Sequence, residues 1–237
     1  MPAAVTPCAV AGGAAEAAPV AALALGVPGA ASPATSKGAA AGCDFEGAAR
    51  RAVLELLEQH HAGDPPQPPP AFRCVAPASV APLAALVSWL ERRYRRLDLR
   101  VATCDGYFVA VAGCSDLDGG RQTEGASAGL GLFDALAHAA REAVFHWRAM
   151  VALDFAGTAE DTLCEDDRAA LRRYRGAVGG GAWPEAAGGA ALDGDRSLAT
   201  SAGDLMRTLA RASGQRVRLF DMTCPAIGLP VVKALLG

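Results

Sequence analysis

Apolar positions recur every three to four residues in several stretches of this chain and every second residue in others. That contrast alone predicts a mixed order of helices and strands. Ala52, Val53, Leu54, Leu56 and Leu57 predict a helix over 45–60, with Asp44 as its N-cap. GDPPQPPP, Gly63 to Pro70, stops it with extended backbone. A second amphipathic helix is expected over 78–96, with Leu83, Leu86, Val87 and Leu90 inward; its basic end, ERRYRR, would complement the helix dipole. Strands are expected over 97–103 and 107–112, joined by an Asp105-Gly106 turn. The polar, Gly-rich stretch 115–129 reads as a loop, 132–151 as a long helix, 163–175 as a short charged helix and 176–200 as a surface loop of low complexity. Ser201 would cap a helix over 201–213 that Gly214 closes, before strands over 216–222 and 230–236.

Two internal echoes refine this picture. Gly42, Ala48, Ala52 and Glu55 recur as Gly129, Ala135, Ala139 and Glu142. The run of helix, strand, turn and strand over 78–112 recurs at 201–236, where Thr103-Cys104 matches Thr223-Cys224. Alanines four apart let a helix pack closely on a sheet. The expected fold class is therefore α+β, with repeated helix and antiparallel-strand units in two layers.

Composition narrows the function classes. With 237 residues the chain fits one sizeable domain, expected over 36–237 behind an Ala/Pro/Gly-rich, disordered leader over 1–35. A net charge of −3 gives no general affinity for nucleic acid or an anionic membrane, and no apolar run is long enough to span a bilayer. The seven cysteines are odd in number and scattered, without a C-x-x-C pair, which argues against a zinc site or disulfide framework and for reduced thiols in a cytoplasm. Cys104, Cys114 and Cys224 lack a local His partner and read as small buried hydrophobes.

Candidate chemistry concentrates in SKGAAAGCDFEGAARRAVLELLEQHH, Ser36 to His61. Glu55 and Glu58 are three apart and share one helix face. Acids set among apolar neighbours call for a cation, either a divalent metal carrying phosphate or an arginine; the alternative is a face turned to water. Gly38 and Gly42 allow a tight turn into the helix N-terminus, where free N–H groups suit an anion, and Ser36 and Lys37 stand at its mouth. The echo suggests that Glu142 faces the same cleft as Glu55. Glu55, Glu58 and Glu142 are then the candidate Mg²⁺ ligands, since Mg²⁺ prefers hard carboxylate and phosphate oxygens. Ser36, Lys37, Gly38, Glu142 and Arg148 are the candidate nucleotide-binding residues, although Glu142 with Arg141 and Arg148 also fits a surface ion-pair cluster. Catalytic residues stay unassigned. His60 and His61 read as partners of the last helical carbonyls or of solvent. His146 reads as a proton-transfer group or a half-buried structural histidine, and Asp221 with Thr223 as turn caps.

Three motifs in order resemble the YcaO-domain family: S-x-G-x-A-A-G followed by a helix ending E-x-x-E; the Gly-rich, Ala-rich E-A segment over 125–148; and RVRLFDMTCPAIGLPVVKALL over 216–236, with its D-x-T and G-x-P-V-V. Membership implies ATP- and Mg²⁺-dependent activation of peptide backbone amides, so that Cys, Ser or Thr of a ribosomally synthesised precursor peptide close to thiazoline or oxazoline; other branches make thioamides or amidines. It also implies a leader-recognising partner protein and a homodimer, and the azole-forming, bacteriocin-type cyclodehydratases are the most similar branch. Several features depart from the family pattern. Lys37 stands where the family has Asn and Gln59 where it has Arg, and His146 and Arg148 occupy the place of the family's late Gln and Arg. The family's earlier Gly-Lys-Gly segment has no counterpart in residues 1–35, and the end at Gly237 is short of the family's Pro-Gly tail. These departures favour two further possibilities: a degenerate scaffold or peptide-binding subunit without ATP turnover, and one half of a split enzyme.

Overall fold

The computed structural model describes residues 4–5, 18–19, 35–62, 70–157, 160–176, 192 and 194–237. The elements in chain order begin with β1 (Ala4–Val5), β2 (Ala18–Pro19), β3 (Ala39–Ala41), α1 (Phe45–Ala62), β4 (Arg73–Val75) and α2 (Ala84–Glu91). There follow β5 (Arg95–Cys104), β6 (Tyr107–Asp116), β7 (Thr123–Gly129), α3 (Leu132–Phe155), α4 (Glu165–Gly176), α5 (Ala202–Ser213), β8 (Val217–Asp221) and β9 (Val231–Leu236). β1 and β2 pair antiparallel; apart from these strands and Thr35, the leader expected over 1–35 lies outside the described residues, as do the stretch 63–69 and most of the loop expected over 176–200. The mixed helix and antiparallel-sheet class is as expected. Among the described residues no helix is long and apolar enough to cross a membrane.

The chain divides into two compact units. The first takes residues 1–69, 105–107 and 199–237. Its sheet runs β3–β9–β8, with β9 antiparallel to both neighbours. The small residues of α1 explain how it lies so close on β9 and β3: Ala48, Ala49 and Ala52 are fully buried beside Val53 and Leu57. α5 packs on α1 and β8 through Ala202, Leu205 and Leu209. Its ends are as the sequence predicts: the Ser201 hydroxyl accepts the Asp204 N–H at 3.1 Å, and Gly214 closes the helix in the left-handed region at φ 68°. Glu46, on the first turn of α1, accepts the Ala202 N–H at 2.7 Å and so anchors the same helix start. Ser201→Ala is expected to lower stability by about 1 kcal/mol, read as a shifted denaturant midpoint at constant slope.

The second unit takes residues 70–104 and 108–198, with sheet order β4–β5–β6–β7. α3 covers β7 and β5, α2 packs on β5, and α4 rests on α3. Leu90, Leu99, Phe108, Leu132, Leu136 and Ala139 belong to one buried cluster, and Met150, Leu171 and Tyr174 form a smaller one where α4 docks.

Two expectations fail here for physical reasons. The helix expected over 78–96 shrinks to α2. Tyr94 takes a positive φ of 55°, and ERRYRR then feeds β5, where Arg95, Leu97, Leu99 and Val101 are buried at strand spacing. Arg95, only 2% exposed, donates to the Asp116 carboxylate at 2.5 Å and to the Cys114 and Arg121 carbonyls at 2.9 Å, so a basic helix end becomes a buried strand anchor. The loop expected over 115–129 contains β7. Its Gly, Ala and Ser residues carry little strand propensity, but they are small because α3 lies against them. A Cβ on Gly125 would stand 2.4 Å from the Ala139 carbonyl oxygen and 2.5 Å from the Ala143 nitrogen.

Both internal echoes are structural. β3 leads into α1 as β7 leads into α3, and a Cβ on Gly42 would meet Ala48 while one on Gly129 would meet Ala135, the matching residue. α5–β8–β9 likewise matches α2–β5–β6. The sheet orders β3–β9–β8 and β7–β6–β5 then coincide, so each unit contains the same strand, turn and helix completed by a helix and two strands.

Candidate functional site

The first unit gathers its chemistry where the chain enters β3. Gly38 has φ +72°, and a Cβ there would lie 2.5 Å from the Ala234 carbonyl oxygen, so only glycine lets this turn lie on β9. The Ser36 carbonyl accepts the Ala39 N–H at 2.9 Å, closing the turn, and the Gly38 carbonyl accepts the Ala234 N–H at 2.7 Å. Ser36 and Lys37 are exposed at the surface of this turn. The Gly38 N–H hydrogen-bonds to the half-buried Glu55 carboxylate on α1. Burial pushes the Glu55 carboxyl above the usual carboxylate range, while that N–H and the charges of Lys233 and Lys37 oppose the rise. Glu58 follows one turn on, half-buried. Ser36, Lys37 and Gly38 therefore come together with Glu55.

Sequence reasoning passed over the group that organises this corner. Lys233, on β9, is 2% exposed. Its Nζ donates to the Thr35 carbonyl at 2.6 Å and to the Lys37 carbonyl, and burial lowers its pKa against the attraction of Glu55. The available signal was a lysine inside the apolar strand VVKALL, a position where a charge needs partners.

The second unit holds Glu142 and Arg148 on α3. Glu142 Oε2 accepts the Ala126 N–H of β7 at 2.8 Å, and its other oxygen lies 4.0 Å from His146 Nε2. His146 in turn bonds the Glu124 carbonyl through Nδ1 at 2.7 Å. The two side chains thus occupy outward-facing backbone groups of β7, an edge strand of its sheet. Arg148 is exposed and, six residues beyond Glu142, lies about 120° round the helix, so α3 does not present the two on one face. Glu142→Ala is expected to cost about 1–2 kcal/mol by stranding the Ala126 N–H, whereas Glu142→Gln, which keeps an acceptor oxygen, stays near the parent in chemical denaturation.

The remaining candidates fall into structural roles. His61 Nε2 pairs with the Tyr107 hydroxyl at 2.8 Å rather than with helical carbonyls, and burial lowers its pKa. Asp221 accepts the Thr223 N–H at 2.8 Å and Thr223 accepts the Val231 N–H at 3.1 Å, as expected of turn caps. Cys114 is buried, Cys104 is half-buried, and Cys224 is exposed rather than the buried hydrophobe expected. A cleft of about 980 Å³ in the second unit is lined by Glu124, His146, Met150, Asp166 and Arg173 among others, and by none of the residues expected to bind nucleotide or metal. Within each unit, among the described residues, no three His, Cys, Asp or Glu side chains group to hold a metal.

The family model described as YcaO cyclodehydratase, ATP- and Mg²⁺-binding, matches residues 7–236. The chain belongs to the YcaO family. ATP and Mg²⁺ are the cofactors that membership brings. Among solved structures, a heterocyclase in complex with substrate and cofactor is similar at a TM-score of 0.67 and 22% identity, over 94% of this chain and 31% of that one. YcaO from Methanopyrus kandleri bound with AMPPCP and Mg²⁺ is similar at 0.53 and 22%, over 89% and 56%. The E. coli microcin synthetase McbBCD complex contains a chain similar at 0.63 and 11%, over 98% and 63%. At these identities the likenesses establish the fold, and this chain spans between 31% and 63% of those relatives' lengths. No curated protein matches it.

The residues of the first unit suit the family's cofactors. Mg²⁺ needs only one or two protein carboxylates beside phosphate oxygens and water, so the absence of a three-residue cluster among the described residues does not count against it. Glu55 and Glu58 offer hard oxygens on one face of α1, and Lys233 already supplies a cation whose charge acts on Glu55. The Gly38 turn brings backbone against that face without a side chain in the way.

Proposed function

We propose that this YcaO chain is an ATP- and Mg²⁺-dependent cyclodehydratase that activates backbone amides of a ribosomally synthesised precursor peptide, so that Cys, Ser or Thr side chains close to thiazoline or oxazoline. One observation carries the proposal: the turn Ser36–Lys37–Gly38 is seated against the Glu55 carboxylate in a chain whose residues 7–236 match the family model. ATP supplies a phosphoryl group that makes the amide oxygen a leaving group, and Mg²⁺ neutralises phosphate charge. Glu55 and Glu58 of the first unit would hold the metal. The turn Ser36, Lys37 and Gly38 would orient phosphate through backbone and ammonium groups. Peptide substrate and partner are supported by the microcin synthetase complex, whose structure is also solved with pro-MccB17 bound. A leader-recognising partner protein, a homodimeric arrangement and a cytoplasmic setting belong to the same proposal.

A second reading is a degenerate scaffold or peptide-binding subunit. Gln59 favours it, as does the engagement of both Glu55 and Glu142 by backbone N–H groups. A split enzyme completed by a second polypeptide differs only in needing that partner to bind nucleotide. Calorimetry with Mg²⁺–ATP, on the chain alone and with the product of the adjacent gene, followed by ADP release with and without peptide, separates them. The cyclodehydratase releases ADP when peptide is present. Folded protein that takes no nucleotide in either condition is the scaffold.

A further inference from the structure

We infer that Lys233 is a positioning residue, a clamp that sets the Ser36–Lys37–Gly38 turn for its ligand and distinguishes the first unit from its structural duplicate; this rests on the nucleotide role proposed for that turn. Three observations meet at this side chain. Its Nζ ties down two carbonyls of the entering chain, those of Thr35 and Lys37, which flank Ser36. Its backbone is paired with Ala39, so the ammonium group reaches back along β3 to the turn that strand starts from. Its charge acts on Glu55, the carboxylate that receives the Gly38 N–H from the same turn. One buried cation therefore contacts the turn and electrostatically steadies the acid opposite it. With two donors spent on carbonyls, Lys233 orients the turn's outward groups and leaves phosphate contact to Lys37 and the backbone.

The duplicate serves as an internal control for whether such a lysine is needed to build the fold. Ala39 matches Ala126 through the Gly42–Gly129 and Ala48–Ala135 correspondence. Ala126 pairs with Val111 on β6, as Ala39 pairs with Lys233 on β9. Where the first unit has Lys233, the second has Val111. The second unit still fastens its glutamate to its strand, Glu142 to the Ala126 N–H, and still lays the strand on the helix. Lys37 becomes Glu124 and Glu58 becomes Phe145 at the matching positions. The architecture thus tolerates an aliphatic residue at this register. The buried charge, with its desolvation cost, accompanies only the unit that carries the Ser-x-Gly turn and the paired acids.

The test compares Lys233→Val, the residue the duplicate carries, with Lys233→Arg, which keeps charge and donors. Amide hydrogen exchange is followed at residues 36–39, with α3 and β7 as the reference, and Mg²⁺–ATP affinity is measured on the same samples. Lys233→Val is expected to speed exchange of the Gly38 and Ala39 amides and to weaken Mg²⁺–ATP by about tenfold, leaving α1, α3 and β7 as protected as before. Lys233→Arg should remain within about threefold of the parent in both readings. Unchanged exchange at 36–39 in Lys233→Val, or faster exchange spread equally through α1 and β9, overturns the clamp. If the parent itself takes no Mg²⁺–ATP, the nucleotide reading fails, while the exchange data still decide whether Lys233 holds the turn.

Discussion

Glu55→Gln is expected to abolish Mg²⁺–ATP binding while leaving the fold intact. Glutamine keeps the shape of the side chain and an oxygen that can accept the Gly38 N–H, so the turn stays seated. What disappears is the negative charge, and with it a hard anionic ligand for the metal; a loss of about 100-fold or more in affinity follows. The pH dependence gives an independent check. Burial holds the Glu55 carboxyl above its ordinary value in the folded chain, so between the ordinary and the folded values folding takes up a proton. Glu55's contribution to stability is therefore greatest in acid and is lost as pH rises through the folded value. Metal binding has the opposite sense: it needs the carboxylate, and it weakens as pH falls through the raised range. Isothermal titrations from neutral pH downward should show this weakening in the parent, and Glu55→Gln should lack the component. Equal affinity of parent and variant would remove Glu55 from the metal site.

Gly125→Ala is expected to be among the most damaging single-methyl changes in the second unit. The new Cβ would meet the Ala139 carbonyl oxygen and the Ala143 nitrogen at 2.4 and 2.5 Å, both main-chain atoms of α3 that cannot rotate aside. Relief requires β7 and α3 to part, opening the interface that Leu136, Ala139, Ala140 and Ala143 fill. A loss of about 3 kcal/mol, seen as a melting temperature lower by roughly 6–12 °C, is the expected scale. The same change at Gly119, where a Cβ meets nothing within 4 Å, tests the positive-φ cost alone at φ +83° and should cost less. A Gly125→Ala protein as stable as its parent would mean that β7 and α3 are not in this close contact.

The elements that were legible in the sequence are those whose signals are local. α1 and α5 carry helical apolar periodicity, and α5 adds Ser201 and Gly214 at its ends; β8 and β9 are short, largely apolar runs beyond that stop. The Gly-Ala-Ala-Glu echo was equally local, and it corresponds to a repeated strand, turn and helix. β3 and β7 were not legible, because AAA and TEGASAG lack strand formers; they are strands because α1 and α3 need small residues beneath them. The boundary between α2 and β5 was misplaced because ERRYRR fits either a helix end or a strand start, and the burial of Arg95 against Asp116 decides it. At the site, the S-x-G turn and the acids of α1 could be read from spacing. Lys233 could not, since its bond to the Lys37 carbonyl joins positions 196 residues apart. Nor could spacing reveal that Glu142 is turned to the edge of β7 while Arg148 faces solvent on another side of α3.

The most direct measurement is a crystal structure of the chain with Mg²⁺ and a non-hydrolysable ATP analogue. The account predicts a Glu55 carboxylate oxygen at about 2.1 Å from Mg²⁺, with triphosphate oxygens against the 36–38 turn. A triphosphate bound elsewhere, or Glu55 left on the Gly38 N–H and Lys233 with no metal beside it, would contradict it.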